Sequence, residues 1–223
     1  RLSRGLGDVY KRQTNNKAEF TAKLCQMVKL VENGKHVKMS KRSGEFITLK
    51  EMVDKVGSDS IRFMMMYRKN EAPLEFDVQK VTEQSKDNPV FYVQYAHARI
   101  SSVINKLKKT NMNIDLTNFD NCNFSLLDKE GEIELIKILL DWKSVIETAV
   151  NLYEPHRISY YLYDLSSSFH SLWNQGKIDK NNKFIDEERP EISNVRIALL
   201  LATQETLKSG LSLIGVSAPD EMQ

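Results

Sequence analysis

The chain has 223 residues, of which 41% are apolar and 28% charged, with 32 Lys and Arg against 30 Asp and Glu. This composition is typical of a soluble globular protein with room for one or two packed domains. No stretch approaches the roughly 18 consecutive apolar residues that a membrane span requires. Cys25 and Cys122 lie far apart in the sequence, without the spacing of a metal or redox motif. These observations argue against a membrane protein, a disulfide-rich secreted protein and a cysteine-based metal site, and they predict a cytoplasmic location.

The charge is unevenly distributed along the chain. Residues 1–111 contain 22 Lys and Arg against 12 Asp and Glu, whereas the remainder contains 10 against 18. A basic front half facing an acidic back half predicts contact with a polyanion, and nucleic acid is a polyanion of this kind.

The first thirteen residues lack any apolar periodicity. Residues 8–13 resemble the in-frame translation of a transposon end that is used to prepare sequencing libraries. We therefore interpret residues 1–13 as a non-native tail and exclude them from the fold, with an ordinary basic tail as the alternative. On the first interpretation the gene is interrupted here, and an upstream part of the protein is missing.

A hairpin and a basic loop open the folded part. Residues 27–31 alternate like a strand, and Asn33-Gly34 is the strongest short signal for a type I′ turn. The return strand would cover residues 36–39, so that the cationic residues 38–42 would emerge as a loop. Thr48 and Glu51 have the spacing of a capping box at the start of a helix. A cationic loop placed between a hairpin and a helix N-terminus favours a phosphorylated ligand, although a solvated hairpin tip is the alternative.

Most of the remaining chain is predicted to be helical. A short helix over residues 49–56 ends at Gly57, a second covers residues 59–68, and residues 72–77 form a break with a short extended piece. Helix resumes near Val78, and Asn88-Pro89 has the pattern of an N-cap followed by N1 of a long helix that reaches residue 109. Three further long helices follow, over residues 132–153, 155–176 and 190–208. The first of these faces the core through apolar residues at helical spacing: Ile133, Ile136, Leu140, Ile146 and Val150. Glycines at 210 and 215 frame a final turn.

The sequence thus predicts a mostly α fold with a boundary near residues 86–89. Residues 14–86 would form one unit, and residues 87–223 would form an α-helical bundle.

In the helical part, each of two sets of residues lies on one face of its own helix. Tyr92, Tyr95 and Arg99 follow one another at i, i+3 and i+7, and Tyr160 and Asp164 are an i, i+4 pair. Aromatic rings beside an arginine suit unstacked nucleic-acid bases, which stack on rings and guanidinium planes. For each tyrosine, a packed role in the core is the alternative.

Several segments resemble arginyl-tRNA synthetases, which are class I aminoacyl-tRNA synthetases. Lys38-Met39-Ser40-Lys41 matches the Lys-Met-Ser-Lys-Ser signature of that class, with Arg42 in place of the commoner Ser. Further resemblance runs in the right order through residues 56–63, 84–100, 154–157 and 215–219, so it covers almost the whole chain from about residue 17.

The resemblance implies an ATP-dependent arginine–tRNA ligase whose partners are ATP, with Mg²⁺ as its counter-ion, arginine and arginine tRNA. It implies that residues 14–86 are the end of a Rossmann-like catalytic domain and that residues 87–223 are an anticodon-binding domain. Lys38 and Lys41 would stabilise the transition state of adenylate formation, because negative charge accumulates there on the phosphate oxygens. The loop residues Lys38, Met39, Ser40, Lys41 and Arg42 would bind ATP. Anticodon contacts would come from Tyr92, Tyr95, Arg99, Tyr160, Asp164 and Met222. We expect the first three to lie beside Tyr160 and Asp164 in one exposed pocket, with the C-terminal residues at its edge.

A second signature of the class, His-x-Gly-His, is absent from this sequence, whose four histidines are His36, His97, His156 and His170. We therefore expect a C-terminal fragment that is inactive alone, without a metal site of its own. A non-catalytic tRNA-binding module is the alternative, but such a module would have no need of the loop at residues 38–42.

Overall fold

The computed structural model describes residues 21–37, 47–112 and 114–222. The predicted mostly α fold is confirmed there: six α-helices accompany one small sheet. The strands are β1 (Val28–Glu32), β2 (Lys35–His36) and β3 (Leu74–Asp77). The helices are α1 (Leu49–Val56), α2 (Ser58–Met66), α3 (Pro89–Leu107), α4 (Glu130–Leu152), α5 (His156–Ile178) and α6 (Pro190–Leu213).

The predicted hairpin is confirmed. Asn33 and Gly34 have φ angles of 52° and 71°, which are the two positive values that a type I′ turn demands. β1 and β2 pair antiparallel on either side of this turn. The capping box is also present, because the Thr48 hydroxyl accepts from the Glu51 amide while the Glu51 carboxylate accepts from the Thr48 amide. Both flanks of the basic loop therefore have defined local structure.

β3 completes the sheet in the order β2-β1-β3 and runs parallel to β1, with Leu30 opposite Phe76. The inner face of the sheet packs on α1 and α2. The small core formed there consists of buried apolar side chains from β1, β3, α1, α2 and the turn after β3: Leu30, Met52, Val56, Ile61, Phe76, Val78 and Val81.

The predicted return to helix near Val78 is wrong. Val78 instead donates its amide to the Val31 carbonyl, which continues the β1–β3 pairing, and only a 3₁₀ turn at Lys80–Thr82 follows. The Asp77 carboxylate accepts from the amides of Gln79 and Lys80. Side chains of this kind offer the backbone an alternative to helical hydrogen bonds, so a turn replaces the helix.

The long helices form a bundle around α5, which packs against α3, α4 and α6. The fully buried side chains at the centre of this bundle come from four helices and include Ile100, Leu135, Leu162, Leu165, Phe169, Leu200 and Leu207. Phe63 of α2 is fully buried in this larger core, whereas Ile61 of the same helix belongs to the small one. α2 therefore joins the two cores.

The predicted core face of α4 is largely wrong. Ile133, Leu140 and Val150 are exposed, Leu140 by 76%, whereas Ile136 and Ile146 are half-buried and only Ile136 packs against the large core. Leu135 and Ala149 are the fully buried apolar residues that the pattern did not select. Apolar residues occur on most sides of this helix, so helical spacing alone selects more than one possible face.

The last helix is five residues longer than predicted, because Gly210 lies inside α6 and does not end it. A Cβ atom at Gly210 would lie 2.6 Å from Leu162 Cδ2 of α5. The glycine therefore permits close packing of two helices, and the chain turns only at Gly215, where φ is 69°.

Candidate nucleic-acid interface

The basic loop with Lys38, Met39, Ser40, Lys41 and Arg42 lies outside the described residues, so the predicted ATP contacts stay predictions. Residues 1–13 also lie outside the described part of the chain. What the structure does place are the two ends of the loop, at His36 of β2 and at the capped N-terminus of α1.

Asn88 fixes the start of α3, the helix that carries the first predicted set. Its side-chain oxygen accepts from the Phe91 amide, as expected for an N-cap, and Pro89 occupies the first turn. The Asn88 amide group also donates to the carbonyls of Val81 and Glu83, at 2.9 and 2.8 Å. Because Asn88 is itself buried, it ties the helix to the preceding turn and sets the direction in which its side chains project.

Tyr95 and Arg99 form a stacked pair on α3. The guanidinium carbon of Arg99 lies 4.2 Å from the centre of the Tyr95 ring, and Nη2 donates to the Tyr95 hydroxyl at 3.3 Å. Both residues are half-buried. A cation at this distance over an aromatic face is attracted by the ring quadrupole, so the two side chains form one positively charged unit.

His170 of α5 lies directly beneath this pair. Arg99 Nη1 donates to His170 Nδ1 at 3.0 Å, and His170 Nε2 is 3.1 Å from the Tyr92 carbonyl oxygen. His170 is only 4% exposed. Its burial, opposed by the bond to the Tyr92 carbonyl and assisted by the charge of Arg99, lowers the pKa to about 4. The imidazole is therefore neutral at physiological pH.

Tyr92 packs on α5 through two neighbours. Its ring centre lies 4.4 Å from that of His170 and 5.2 Å from that of Tyr163. Because the contacts advance in the same direction along both helices, from Tyr92 with Tyr163 to Arg99 with His170, α3 and α5 run parallel at this groove.

Tyr160 and Asp164 lie further along the groove, towards α2. The Tyr160 ring meets Tyr67 edge to face with centres 5.0 Å apart, and Tyr67 also contacts Tyr163 at 6.2 Å. Asp164 is an exposed residue, but neighbouring groups partly desolvate its carboxylate, and this desolvation raises its pKa. Burial, reinforced by Tyr163, Tyr160 and Asp164, raises the pKa of Tyr67 to about 12.

The rings of Tyr67 and Tyr163 thus stand between the two predicted sets. The hypothesis that Tyr160 and Asp164 adjoin Tyr92 and Tyr95 directly needs correction: the residues share one groove, but two further tyrosines separate them. A cavity of about 400 Å³ opens there, and it is lined by both intervening tyrosines together with Lys80, Lys86, Glu83 and Asp87.

The C-terminal segment lies on the other side of α3. His97 Nδ1 is 2.9 Å from the Pro219 carbonyl oxygen, and Ser101 donates to the Asp220 carboxylate at 2.9 Å. His97 and Ser101 project from α3 roughly opposite Tyr95 and Arg99. The expectation that residues around Met222 border the tyrosine pocket therefore differs from the observed path of the tail, although Met222 is itself partly buried.

A second, larger cavity of about 870 Å³ lies at the C-terminal ends of α3 and α5. Trp173 and Phe184 contribute to its lining, and the charged side chains there have both signs: Lys106, Lys177, Lys183, Arg189, Asp186, Glu187 and Glu188. The guanidinium carbon of Arg99 is 5.2 Å from the Trp173 ring, so this cavity continues the groove beyond the Tyr95–Arg99 pair.

Sequence reasoning missed His170, Tyr67 and Tyr163 as parts of the groove. Tyr163 and His170 are seven residues apart on one helix, a spacing that could have indicated a shared face. Within the described residues, no group of three or more His, Cys, Asp or Glu side chains is arranged to hold a metal ion. No helix in that part of the chain combines the length and apolarity needed to cross a membrane.

Comparison with known proteins bears on this groove. Residues 93–222 match the family model described as the DALR anticodon binding domain. The chain is 51% identical over 212 residues to an arginine–tRNA ligase of Beijerinckia indica, an alignment that covers 94% of the chain and 36% of the relative. It is 48% identical to the arginine–tRNA ligase of Rhizobium etli over 223 residues, which are 100% of the chain and 37% of that relative. The chain thus spans little more than a third of the length of these curated relatives.

The chain is also similar to solved structures of arginyl-tRNA synthetases. A Campylobacter jejuni crystal structure assigned to arginyl-tRNA synthetase superposes with a TM-score of 0.73 at 30% identity, over 89% of this chain and 40% of that one. The arginyl-tRNA synthetase of Thermus thermophilus gives a TM-score of 0.60 at 25% identity, over 82% of this chain and 29% of that one.

Proposed function

The chain belongs to the DALR anticodon-binding family, and from this premise we propose that it is part of a cytoplasmic arginine–tRNA ligase that reads its tRNA through the groove between α3 and α5. The observation that carries the proposal is the Tyr95–Arg99 pair on the surface of the family domain, in which the guanidinium covers one side of a half-buried ring whose other side stacks on Phe91, so that an incoming base meets the guanidinium plane. Single-stranded RNA bases stack on such groups, and their phosphates are attracted by the charge.

The proposed division of labour follows the boundary near residues 86–89. Residues 87–223 would bind the anticodon through Tyr92, Tyr95 and Arg99, with Tyr160 and Asp164 further along the groove and Met222 on the tail. Residues 14–86 would contribute the loop with Lys38 and Lys41 to the ATP site, with Mg²⁺ as the counter-ion of ATP. Sequence similarity to the ligases extends across residues 14–86 as well as the anticodon-binding part, and this supports the enzyme over a non-catalytic tRNA-binding module.

In the proposed reaction, the arginine carboxylate attacks the α-phosphate of ATP and expels pyrophosphate. Lys41 would meet the charge that develops on the phosphate oxygens in the transition state, and Lys38 would assist it. Ser40 is small enough to allow the loop to close over the nucleotide. Arg42 adds one more cation to the same segment.

The test is a binding series on the 223-residue chain, with arginine tRNA and with the same tRNA carrying a swapped anticodon. Tyr95→Ala should weaken binding by roughly 1–3 kcal/mol for the matched tRNA and by less for the swapped one. Tyr95→Phe should lose less affinity than Tyr95→Ala, because the ring is kept and only the hydrogen bond from Arg99 Nη2 to the hydroxyl is removed. Phe124→Ala is the control, since Phe124 is a half-exposed ring outside the groove.

Lys106→Ala provides a contrasting variant within the same series. A lysine that contacts phosphates should weaken both tRNAs alike and reduce the salt dependence of binding by about one counter-ion. Equal losses for both tRNAs with Tyr95→Ala would contradict anticodon reading through this groove.

A further inference from the structure

His170 has a fixed pattern of hydrogen bonds. An arginine side chain can only donate hydrogen bonds, so the contact of Arg99 Nη1 with His170 Nδ1 requires a lone pair on Nδ1. The ring proton is then on Nε2, which donates to the Tyr92 carbonyl oxygen. Both ring nitrogens are therefore used, and each faces α3.

The contact determines where the Arg99 guanidinium lies. Nη1 is held by His170, Nη2 donates to the Tyr95 hydroxyl, and the guanidinium carbon lies over the Tyr95 ring. The Trp173 ring, 5.2 Å away, limits the remaining space. An arginine side chain that is free in solution has many rotamers, and ordering it during binding costs free energy. Here the ordering has already taken place in the protein without RNA.

We propose that His170 is a positioning residue of the RNA site, which holds the Arg99 guanidinium against Tyr95 in the geometry that receives a base. The proposal rests on the proposed function of the groove. His170 does not itself need to touch RNA, since it is buried beneath the pair. It acts through its Nδ1 lone pair, and the bond from Nε2 to the backbone of α3 sets the orientation of the ring.

Two substitutions separate the roles of the two nitrogens. His170→Asn retains an acceptor oxygen near the position of Nδ1 and removes the contact of Nε2 with Tyr92. His170→Gln places its amide near the position of Nε2 and removes the acceptor for Arg99. Both variants lose the imidazole ring and its packing, so a purely structural role would affect them similarly.

The expected result is a difference in RNA affinity between these two variants. His170→Gln should weaken binding of matched arginine tRNA roughly tenfold, as expected for loss of one charge-assisted contact. His170→Asn should remain within about threefold of the unsubstituted chain at the same salt concentration. Chemical denaturation of both variants tests whether they are folded and similarly stable.

A spectroscopic measurement tests the same contact without RNA. Nitrogen NMR of the unsubstituted chain should show His170 as the neutral Nε2–H tautomer at pH 7, and the Arg99 side-chain signals should shift in His170→Gln but not in His170→Asn. Equal tRNA affinities for the two variants, or the Nδ1–H tautomer, would overturn the positioning role. If Arg99→Ala and Tyr95→Ala also leave tRNA binding unchanged, the proposed function fails as well. Losses confined to those two variants would reject only the role of His170.

Discussion

Arg196 of α6 donates through Nε to the Glu132 carboxylate of α4 at 2.6 Å, and the two side chains are only 3% and 2% exposed. Three further hydrogen bonds involve the pair. Arg196 Nη1 donates to the carbonyls of Asn181 and Lys183, at 2.7 and 2.8 Å, and Glu132 accepts from the Lys129 amide. This buried pair therefore joins α4 to α6. Its further hydrogen bonds also hold the N-terminus of α4 and the segment between α5 and α6.

Removal of one partner should be costly. Glu132→Ala leaves the Arg196 charge buried without its anion, and such variants lose about 3–5 kcal/mol of unfolding free energy. Urea denaturation of the 223-residue chain measures this loss. The double variant Glu132→Leu/Arg196→Met should lose less unfolding free energy than Glu132→Leu and Arg196→Met lose in sum, because the double variant leaves no charge unpaired. Strict additivity would contradict the pairing.

Gly210→Ala tests the close approach of α5 and α6. Alanine favours helix over glycine by about 1 kcal/mol, but its Cβ would lie 2.6 Å from Leu162 Cδ2, and Leu162 is fully buried. Overpacking of this kind costs about 1–3 kcal/mol, so we expect a net loss of stability. Ser212→Ala, at an exposed position of the same helix, is the matched control and should be neutral or slightly stabilising in thermal unfolding.

The stability of the chain should depend on pH through His170. Its ordinary pKa is 6.5, and burial in the folded state lowers the pKa to about 4. The unfolded chain therefore binds a proton that the folded one does not, so the contribution of neutral His170 is present above pH 6.5 and is lost as the pH falls to about 4. Arg99, the charged group that faces the ring, opposes protonation further.

Comparison of urea unfolding at pH 7 and pH 4.5 measures this dependence. His170→Asn should lose less stability over that interval than the unsubstituted chain, since it carries no titrating ring. Identical losses would show that other groups account for the whole effect.

Lys41→Ala should slow arginine activation if the basic loop acts as proposed. A chimaera in which residues 14–223 replace the aligned segment of the Rhizobium etli ligase supplies the rest of the active site. Loss of one charged contact to the transition state reduces the rate on the order of 10²–10³. Arginine- and tRNA-dependent exchange of ATP with pyrophosphate measures it, with Lys50→Ala on the exposed surface of α1 as the control. An unchanged exchange rate for Lys41→Ala would reject the catalytic assignment.

The features that the sequence predicts correctly are local ones. The Asn33-Gly34 turn, the Thr48 capping box and the Asn88-Pro89 helix start each depend on residues within about four positions of one another. Their side chains and backbone preferences determine the outcome without help from the rest of the chain. Tyr92, Tyr95 and Arg99 share a face of α3 for the same reason.

The features that the sequence could not predict join distant segments. β3 pairs with β1 across a long connection, and this pairing displaces the helix expected near Val78. Arg99 and His170 are 71 residues apart, and Asp59 accepts from Ser217 across 158 residues. Single-sequence patterns contain no information about such partners, so the sequence predicts two sets of residues without the tyrosines that connect them.

The parallel pairing of β1 with β3 also has a kinetic consequence. The two strands cannot pair until the intervening chain, which includes α1 and α2, has closed into a loop, and closure of this kind costs entropy before any contact is gained. The seven buried apolar residues beneath the sheet form a much smaller core than the helical bundle does. We therefore expect the bundle to assemble first and the sheet to open first under native conditions, with amide hydrogens of Leu30 and Phe76 exchanging before those of Leu165 and Leu207. The small sheet, whose strand β2 precedes the basic segment at residues 38–42, would then belong to the least persistent cooperative unit of the described chain.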